Sequence, residues 1–203
     1  MATALNEKSI YAPIIATVQE TRQITATEKY YKIALDSGKE LGHLPGQFVE
    51  VSILGVGEAP ISISSSPTQK GYFELGVRKV GNVTGAMHNL KAGDKIGIRG
   101  PFGTNFPFEI AKGKDVLFVA GGIGLFPARS FINYVLHNRK DYKNVTILFG
   151  ARTPSDRVFT DELAQWSKRD DVRFFETVDR GDPSWKGNTG VITTLFSKAD
   201  IDA

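Results

Sequence analysis

Three glycines between an apolar segment and a predicted helix form the strongest candidate ligand site in the sequence. Gly121, Gly122 and Gly124 follow the apolar run DVLFVA at 115–120 and precede a helix predicted over about 127–138. Glycine tolerates positive φ angles and lets a ligand approach the backbone, and a helix N-terminus attracts phosphate. The pattern is not a complete G-x-G-x-x-G fingerprint, and no acidic residue ends the next predicted strand. A pyrophosphate site and a tight turn without a ligand both remain open.

Three segments of the first half offer further groups to a ligand. Residues 58–67, EAPISISSSP, alternate isoleucine and serine, which places hydroxyls on one strand face and apolar groups on the other. Residues 80–85, VGNVTG, precede a short helix predicted over Thr84–Leu90 and form a second candidate phosphate site. Residues 97–103, GIRGPFG, end the last predicted strand of this half. Each segment also has a purely structural interpretation: a polar edge strand, a helix with Thr84 as its N-cap, and a glycine-rich turn.

Two different patterns of apolar residues position these segments. Over 9–110, six short runs of β-branched and aromatic residues alternate with turn residues, which predicts a small antiparallel six-stranded barrel. Over 114–203, predicted strands at about 115–120, 145–150 and 172–178 alternate with helices at about 127–138 and 159–168. This alternation predicts a Rossmann-like parallel sheet, whose first strand is apolar enough to be buried on both faces. A further helix is expected from Thr189 to Phe196.

The predicted parallel sheet is expected to be incomplete at its C-terminal end. In a doubly wound sheet the first strand normally lies between other strands. Three strands would leave Val116–Val119 as an apolar edge, which favours pairing with another strand. We therefore interpret this domain as truncated, and expect either a longer natural chain or a partner that covers the edge.

Composition excludes several classes of chemistry. The 203 residues are 41% hydrophobic and 23% charged, as in ordinary globular proteins. Cysteine is absent and His43, His88 and His137 lie far apart, so we expect no metal site, thiolate nucleophile or disulfide. The net charge is only +3 and the basic residues are scattered, which predicts neither nucleic-acid binding nor membrane binding. With no signal-like or membrane-spanning apolar run, we expect a cytoplasmic protein that takes its chemistry from an organic cofactor or a partner.

The order of these motifs resembles that of the ferredoxin–NADP reductase-like flavoproteins. The matching segments are PGQFVE (45–50), APISISSSP, GNVTGAMH, GPFG, AGGIGLFP and FGARTPSD (149–156), and the resemblance extends from about Tyr11 to Phe196. It is greatest to the flavin subunits of nickel–iron hydrogenases (the gamma subunit), anaerobic sulfite reductase and dihydroorotate dehydrogenase. The resemblance implies a flavin-binding barrel at 9–110 that holds FAD, and a domain at 114–203 that binds NADH or NADPH.

The resemblance also implies which residues hold these cofactors. Pro60, Ile61, Ser62 and Ser64 match the strand along the flavin ring, and Gly81, Val83 and Thr84 match the turn that holds its pyrophosphate. The nicotinamide-nucleotide loop corresponds to Gly121, Gly122, Gly124 and Pro127, and Arg152 and Asp156 lie where the adenosine end is held. Val77 and Arg78 complete the candidate cofactor-binding residues. No residue is assigned as catalytic, because the cofactors themselves carry hydride transfer.

Two departures from the family pattern leave alternatives open. Ala59 stands where many relatives carry an arginine that neutralises the FAD pyrophosphate, so Arg78, Lys79 or the helix beginning near Thr84 must compensate, or FAD is held weakly. The Cys-Gly-Pro-Pro segment and the four-cysteine [2Fe–2S] module of hydrogenase-type relatives are absent, so such a cluster is expected in a missing C-terminal part or a partner subunit.

The implied function is an electron-transfer subunit in a hetero-oligomer, which moves hydride between NAD(P)H and flavin and exchanges electrons with an iron–sulfur partner. A non-catalytic subunit that kept the fold, and a stand-alone flavin reductase, are the alternatives. Arg152 and Arg157 are candidates to clamp the 2′-phosphate of NADPH, but arginine also stacks on adenine, which leaves the choice between NADH and NADPH open.

Overall fold

The chain folds into two separate sheets. A computed structural model describes residues 11–199, and the ends of the two predicted domains at 9–10 and 200–203 lie outside this range. A six-stranded sheet has antiparallel pairs and a four-stranded sheet has parallel pairs. The strands of the first lie within 14–102 and those of the second within 116–189. The predicted pairing of an antiparallel barrel with a Rossmann-like parallel sheet is confirmed.

The first sheet closes on itself as a barrel. It comprises β1 (Ile14–Gln23), β2 (Glu28–Leu35), β3 (Phe48–Ile53), β4 (Gly57–Ser62), β5 (Phe73–Arg78) and β6 (Lys95–Phe102). The strand order is β4-β3-β6-β1-β2-β5, and a bridge between Ile63 and Leu75 joins the two outer strands. Alternate residues point inward, so that Ile33, Val49 and Val51 are completely buried in the interior.

A short helix follows β5 and begins earlier than the predicted Thr84–Leu90. Helix α1 spans Asn82–Met87, and its N-cap is Gly81, whereas the purely structural interpretation of this turn placed the N-cap at Thr84. Thr84 lies one turn inside the helix, where its hydroxyl accepts the backbone N–H groups of Val80 at 3.0 Å and Gly81 at 2.9 Å. Thr84 therefore shapes the turn from within the helix, because its side chain ties down the two residues that lead into it.

The second sheet carries helices between its parallel strands. Its elements are β7 (Val116–Gly121), α2 (Leu125–His137), β8 (Val145–Ala151), α3 (Thr160–Trp166), β9 (Arg173–Val178) and β10 (Asn188–Thr189), in the strand order β10-β9-β8-β7. A 3₁₀ helix, Ile192–Lys198, follows β10. The segment Thr189–Phe196, predicted as a helix, is therefore the end of a two-residue strand followed by this 3₁₀ helix.

Strand β7 lies at the edge of the four-stranded sheet, as the sequence predicted, but it is not buried on both faces. Phe118 and Ala120 are buried towards α2, whereas Leu117 and Val119 are 40% and 45% exposed. Leu195 of the 3₁₀ helix packs on Leu148 of β8, and the apolar cluster to which they belong does not include Leu117 or Val119. The prediction of burial on both faces was wrong because an apolar run does not reveal what packs on each face.

Candidate functional site

A mostly apolar cleft lies where the barrel meets the loop after β7. This first cleft has a volume of about 400 Å³. The barrel contributes Pro60, Ile61, Ser62, Gly76, Val77, Arg78, Val80 and Thr84, and the second half contributes Ile123, Gly124, Phe126 and Pro127. Eight of these twelve were candidate residues from the sequence. The structure therefore brings the predicted flavin-side strand and part of the predicted nucleotide loop to one cleft.

The serines of the ISISSSP segment do not all face this cleft. Ser62 ends β4 and lines the cleft, but Ser64 is fully buried and lines neither this cleft nor the one described next. The Ser64 backbone N–H donates to the Glu74 carbonyl at 2.8 Å, and its Oγ has no hydrogen-bond partner among the described residues. Since β4 ends at Ser62, the alternation of faces inferred from the sequence does not extend to Ser64, whose contact with a cofactor stays a prediction.

A second cleft, of about 360 Å³, lies at the carboxyl ends of the parallel strands. Its lining includes the predicted residues Gly121, Gly122, Arg152 and Asp156, together with Arg78, Ile123, Gly150, Ala151, Asp179, Val191 and Ile192. A methyl group added at Gly122 or Gly124 would meet no other atom within 4 Å, and Gly122 has a φ of +49°. The loop after β7 thus leaves open space over its backbone, as an approaching ligand requires.

Arg78 lies between the two clefts and lines both. Its Nε donates to the buried Glu28 carboxylate at 2.5 Å, and Thr25 and Thr27 donate hydroxyls to the same carboxylate. Burial raises the pKa of Glu28, but the hydrogen bonds from Thr25 and Arg78 outweigh it and hold the pKa below its usual value. Glu28 is therefore ionised at neutral pH and fixes Arg78 where a negatively charged ligand in either cleft would meet it.

Two charged residues of the second cleft pair with each other. Arg152 donates to Asp156 at 3.1 Å and the Thr153 hydroxyl donates to the same carboxylate at 2.8 Å. The pKa of Asp156 lies below its usual value. The Thr153 hydrogen bond lowers it most, and the Arg152 charge lowers it further, while burial opposes both. Arg157, considered with Arg152 as a phosphate clamp, does not line this cleft. It makes two 2.9 Å hydrogen bonds to Glu176, and its guanidinium lies 5.0 Å from the Trp185 ring centre.

Two of the predicted phosphate-holding residues lie outside both linings. Gly81 and Val83 are at the start of α1, next to Thr84, which does line the first cleft. A methyl group at Gly81 would meet nothing within 4 Å. Gly76, Phe126, Gly150 and Asp179 were missed from the sequence. Gly150 pairs with Gly121 in the parallel register of β7 and β8, one residue before the end of β8. This pairing was the signal that could have pointed to Gly150.

Residues 11–199 contain no group of three His, Cys, Asp or Glu side chains placed to hold a metal ion. Within the same range, no helix is long and apolar enough to cross a membrane.

Two protein-family profiles match the chain in the order of the two sheets. The oxidoreductase FAD-binding domain matches residues 15–106, and the oxidoreductase NAD-binding domain matches residues 118–202. The two matches meet around the segment between β6 and β7, which connects the two sheets.

Curated relatives and solved structures agree with these profiles. The chain is 40% identical to sulfhydrogenase 1 subunit gamma of Pyrococcus furiosus over 186 residues, 89% of this chain and 63% of the relative. It is 34% identical to a probable dihydroorotate dehydrogenase B (NAD(+)) electron transfer subunit of Methanocella arvoryzae, over 93% of this chain and 65% of the relative. The ferredoxin reductase of carbazole 1,9a-dioxygenase shares the fold with a TM-score of 0.76 at 23% identity, over 93% of this chain and 57% of that one.

The match thus spans less than two thirds of the length of these relatives. The two profiles together span both sheets. The matches to the two relatives and to the solved structure also extend over both. By its sequence the chain belongs to the oxidoreductases that carry an FAD-binding domain followed by an NAD-binding domain, and it shares its fold with a ferredoxin reductase.

Proposed function

We propose that this chain is an FAD-containing electron-transfer subunit of a larger redox complex. It moves hydride between NAD(P)H and flavin and exchanges electrons with an iron–sulfur centre of a partner subunit. The observation that carries the proposal is the pair of adjoining clefts, one on each sheet, with Arg78 in the lining of both. When bound, the two cofactors would supply the redox chemistry themselves, so that the lining residues need only bind and orient them.

The first cleft fits the flavin end of FAD. Its volume, apolar walls and few polar groups are those of a preformed cofactor site. Pro60, Ile61 and Val77 would bound a flat ring, and the Ser62 hydroxyl would hydrogen-bond to its polar edge. The turn at Gly81, Val83 and Thr84 would hold the pyrophosphate, with Ser64 supporting the strand from behind. Arg78 would supply the positive charge that Ala59 does not, since the Glu28 carboxylate already orients it.

The second cleft fits a nicotinamide dinucleotide. Gly121, Gly122 and Gly124 leave the backbone open to the phosphates, and Pro127 and Phe126 begin the helix that follows. Arg152 and Asp156 would contact the adenosine end. Because Arg157 is held by Glu176 and Trp185 outside the cleft, Arg152 is the better placed of the two predicted clamps for a 2′-phosphate. The choice between NADH and NADPH then depends on whether Arg152 leaves Asp156.

The proposed partners follow from the relatives named above. One is the gamma subunit of a sulfhydrogenase and the other an electron transfer subunit of a dihydroorotate dehydrogenase, so both belong to enzymes of several subunits. We expect this chain to assemble likewise into a hetero-oligomer, with an iron–sulfur cluster on a partner or on a segment that these residues do not contain. A cytoplasmic location, and the absence of nucleic-acid and membrane partners, remain part of the proposal and depend on the sequence alone.

An anaerobic visible spectrum of the purified, FAD-reconstituted chain tests the proposal, recorded before and after NADH and then NADPH. We expect flavin absorbance that bleaches with one nucleotide at a lower concentration than with the other. A protein that stays colourless after reconstitution would favour the non-catalytic subunit. Flavin that is reduced but lost on gel filtration would favour the stand-alone flavin reductase.

A further inference from the structure

A buried arginine lies directly behind the first cleft. Arg129 of α2 is only 5% exposed, and its side chain contacts three different elements. One terminal nitrogen donates to the Ser64 carbonyl at 3.0 Å and to the Glu74 carboxylate of β5 at 2.5 Å. Nε and the other terminal nitrogen donate to Glu162 of α3 at 2.9 and 2.6 Å. Arg129 therefore joins both sheets through a single guanidinium group.

Two carboxylates face the Arg129 guanidinium: Glu74 is buried, and the Glu162 side chain is 22% exposed. Burial lowers the pKa of Arg129, but Glu162 and Glu74 outweigh it and hold the pKa above its usual value. The second oxygen of Glu74 accepts the Tyr30 hydroxyl at 2.8 Å, and the guanidinium lies 4.5 Å from the Phe159 ring centre. Removing one member of such a cluster leaves an uncompensated buried charge, which is strongly destabilising.

Both barrel contacts of Arg129 lie two residues from a lining residue of the first cleft. Ser64 follows Ser62 by two residues, and Glu74 precedes Gly76 by two residues on β5. Phe126 lies one helical turn before Arg129 and lines the opposite wall. Its ring packs on the Gly76 backbone so closely that a methyl group at Gly76 would lie 2.5 Å from it. Arg129 thus ties the helix that carries Phe126 to the strand that carries Gly76 and to the segment that follows Ser62.

We infer that Arg129 is a positioning residue that sets the width of the first cleft and thereby aligns the flavin and nicotinamide rings. This inference rests on the proposed function. Arg129 lines neither cleft, so its effect reaches the cofactors through the walls it holds. Hydride transfer depends steeply on the distance and angle between the reacting groups, so a small change in width has a large effect on rate.

Arg129→Lys is the variant that tests this role, because it keeps the positive charge but loses the planar fork that reaches Ser64, Glu74 and Glu162 together. The matched control is Arg139→Lys. Arg139 also makes several hydrogen bonds, to the backbone carbonyls of Asp171 and Tyr142, but all of them lie on the side of the parallel sheet. Both variants are reconstituted with FAD and mixed anaerobically with the nucleotide that reduces the wild-type protein.

For Arg129→Lys we expect flavin reduction at saturating nucleotide to slow by about tenfold to a hundredfold. The dissociation constants of FAD and nucleotide should stay within about threefold, and the long-wavelength charge-transfer absorbance of the stacked rings should weaken. Arg139→Lys should match the wild type in all of these. If Arg129→Lys keeps the wild-type rate and charge-transfer band, or loses only FAD affinity, the inference is overturned.

Hydrogen exchange of the cofactor-free proteins separates this inference from the proposed function. Arg129→Lys should speed amide exchange at 64–66 and 125–130 without changing the interior of either sheet, because only the junction is loosened. Wild-type exchange at both segments would overturn the inference. If no nucleotide bleaches wild-type flavin, the proposed function fails, and the exchange data alone decide whether Arg129 holds the two walls together.

Discussion

The two sheets of this protein offer their candidate sites to cofactors in different ways. The barrel presents residues at the ends of its strands, such as Ser62 and Arg78, to the first cleft. The parallel sheet uses the backbone at the carboxyl ends of its strands, where Gly121 and Gly150 lie side by side. The barrel site depends on which strand residues face the cleft, whereas the site on the parallel sheet depends on the space that glycine leaves over the backbone.

The sheets also differ in how their edges end. The barrel is closed by the bridge between Ile63 and Leu75. The parallel sheet leaves β7 at its edge, with Leu117 and Val119 partly exposed on one face. A closed sheet leaves no strand with an unpaired backbone edge, whereas an open apolar edge favours pairing with another strand. The sequence-based expectation that a further segment or a partner covers this edge therefore stays a prediction.

The largest effect should come from a lysine placed in the interior of the barrel, compared with a lysine on the exposed face of β7. Val49 of β3 is completely buried in the barrel, so Val49→Lys should lower the free energy of unfolding by at least about 4 kcal/mol or prevent folding. Val119→Lys should change it by less than about 1 kcal/mol, because the side chain is partly exposed and reaches solvent. Urea denaturation of the cofactor-free proteins measures both. A Val119→Lys protein as unstable as Val49→Lys would mean that this face of β7 is covered in the isolated chain.

The same comparison shows which features the sequence could reveal. The six barrel strands, the strands β7, β8 and β9 and the edge position of β7 follow from local apolar patterns and turn residues. The exposure of Val119 does not, because it depends on where the 3₁₀ helix after β10 packs. The structural interpretation with Thr84 as N-cap does not hold, because Thr84 is the third helical residue and its hydroxyl accepts the N–H groups of Val80 and Gly81, which precede the helix.

The candidate site divides in a similar way. Motif residues such as Gly122, Pro127 and Ser62 were found because they lie in short recognisable segments. Arg129 was missed because Glu74 and Glu162, its partners, are 55 and 33 residues away in the chain. The one available signal was a charged residue among the apolar residues of the helix after the glycine loop. Arg157 was considered as a ligand clamp for the same reason, since its pairing with Glu176 depends on the folded sheet.

An intermediate effect should distinguish the serine that lines the first cleft from the one behind it. Ser62→Ala removes a hydroxyl from the cleft wall, which should weaken FAD binding by about 1 kcal/mol, or roughly fivefold in dissociation constant. Ser64→Ala should leave the dissociation constant unchanged and keep or raise the stability of the cofactor-free protein, because its buried Oγ lacks a partner among the described residues. Fluorescence titration with FAD measures the first and urea denaturation the second. An equal loss of affinity in both variants would show that Ser64 also faces the flavin, as the alternating sequence predicted.

The smallest effect should be a difference in the pH dependence of stability between variants of two histidines, His43 of the barrel and His137 of α2. His43 of the barrel is 5% exposed and donates Nε2–H to the Ser65 carbonyl at 3.0 Å; burial lowers its pKa, with Lys70 lowering it further and Glu40 opposing. Below pH about 6.5 the unfolded chain therefore takes up a proton that folded His43 resists, so this contribution to stability is present above that pH and lost below it. The melting temperature should therefore fall as the pH is lowered from 7.5 to 5.5.

His43→Gln should flatten this acid-side slope of the melting temperature, because glutamine can donate an N–H but does not titrate. His137, at the end of α2, also has a pKa lowered by desolvation. Its side chain is more exposed than that of His43, so His137→Gln should flatten the slope less. Melting curves of the cofactor-free proteins at half-unit steps of pH make the comparison. If the two variants flatten the slope equally, the difference in burial between the barrel histidine and the helix-end histidine does not govern the acid sensitivity of the fold.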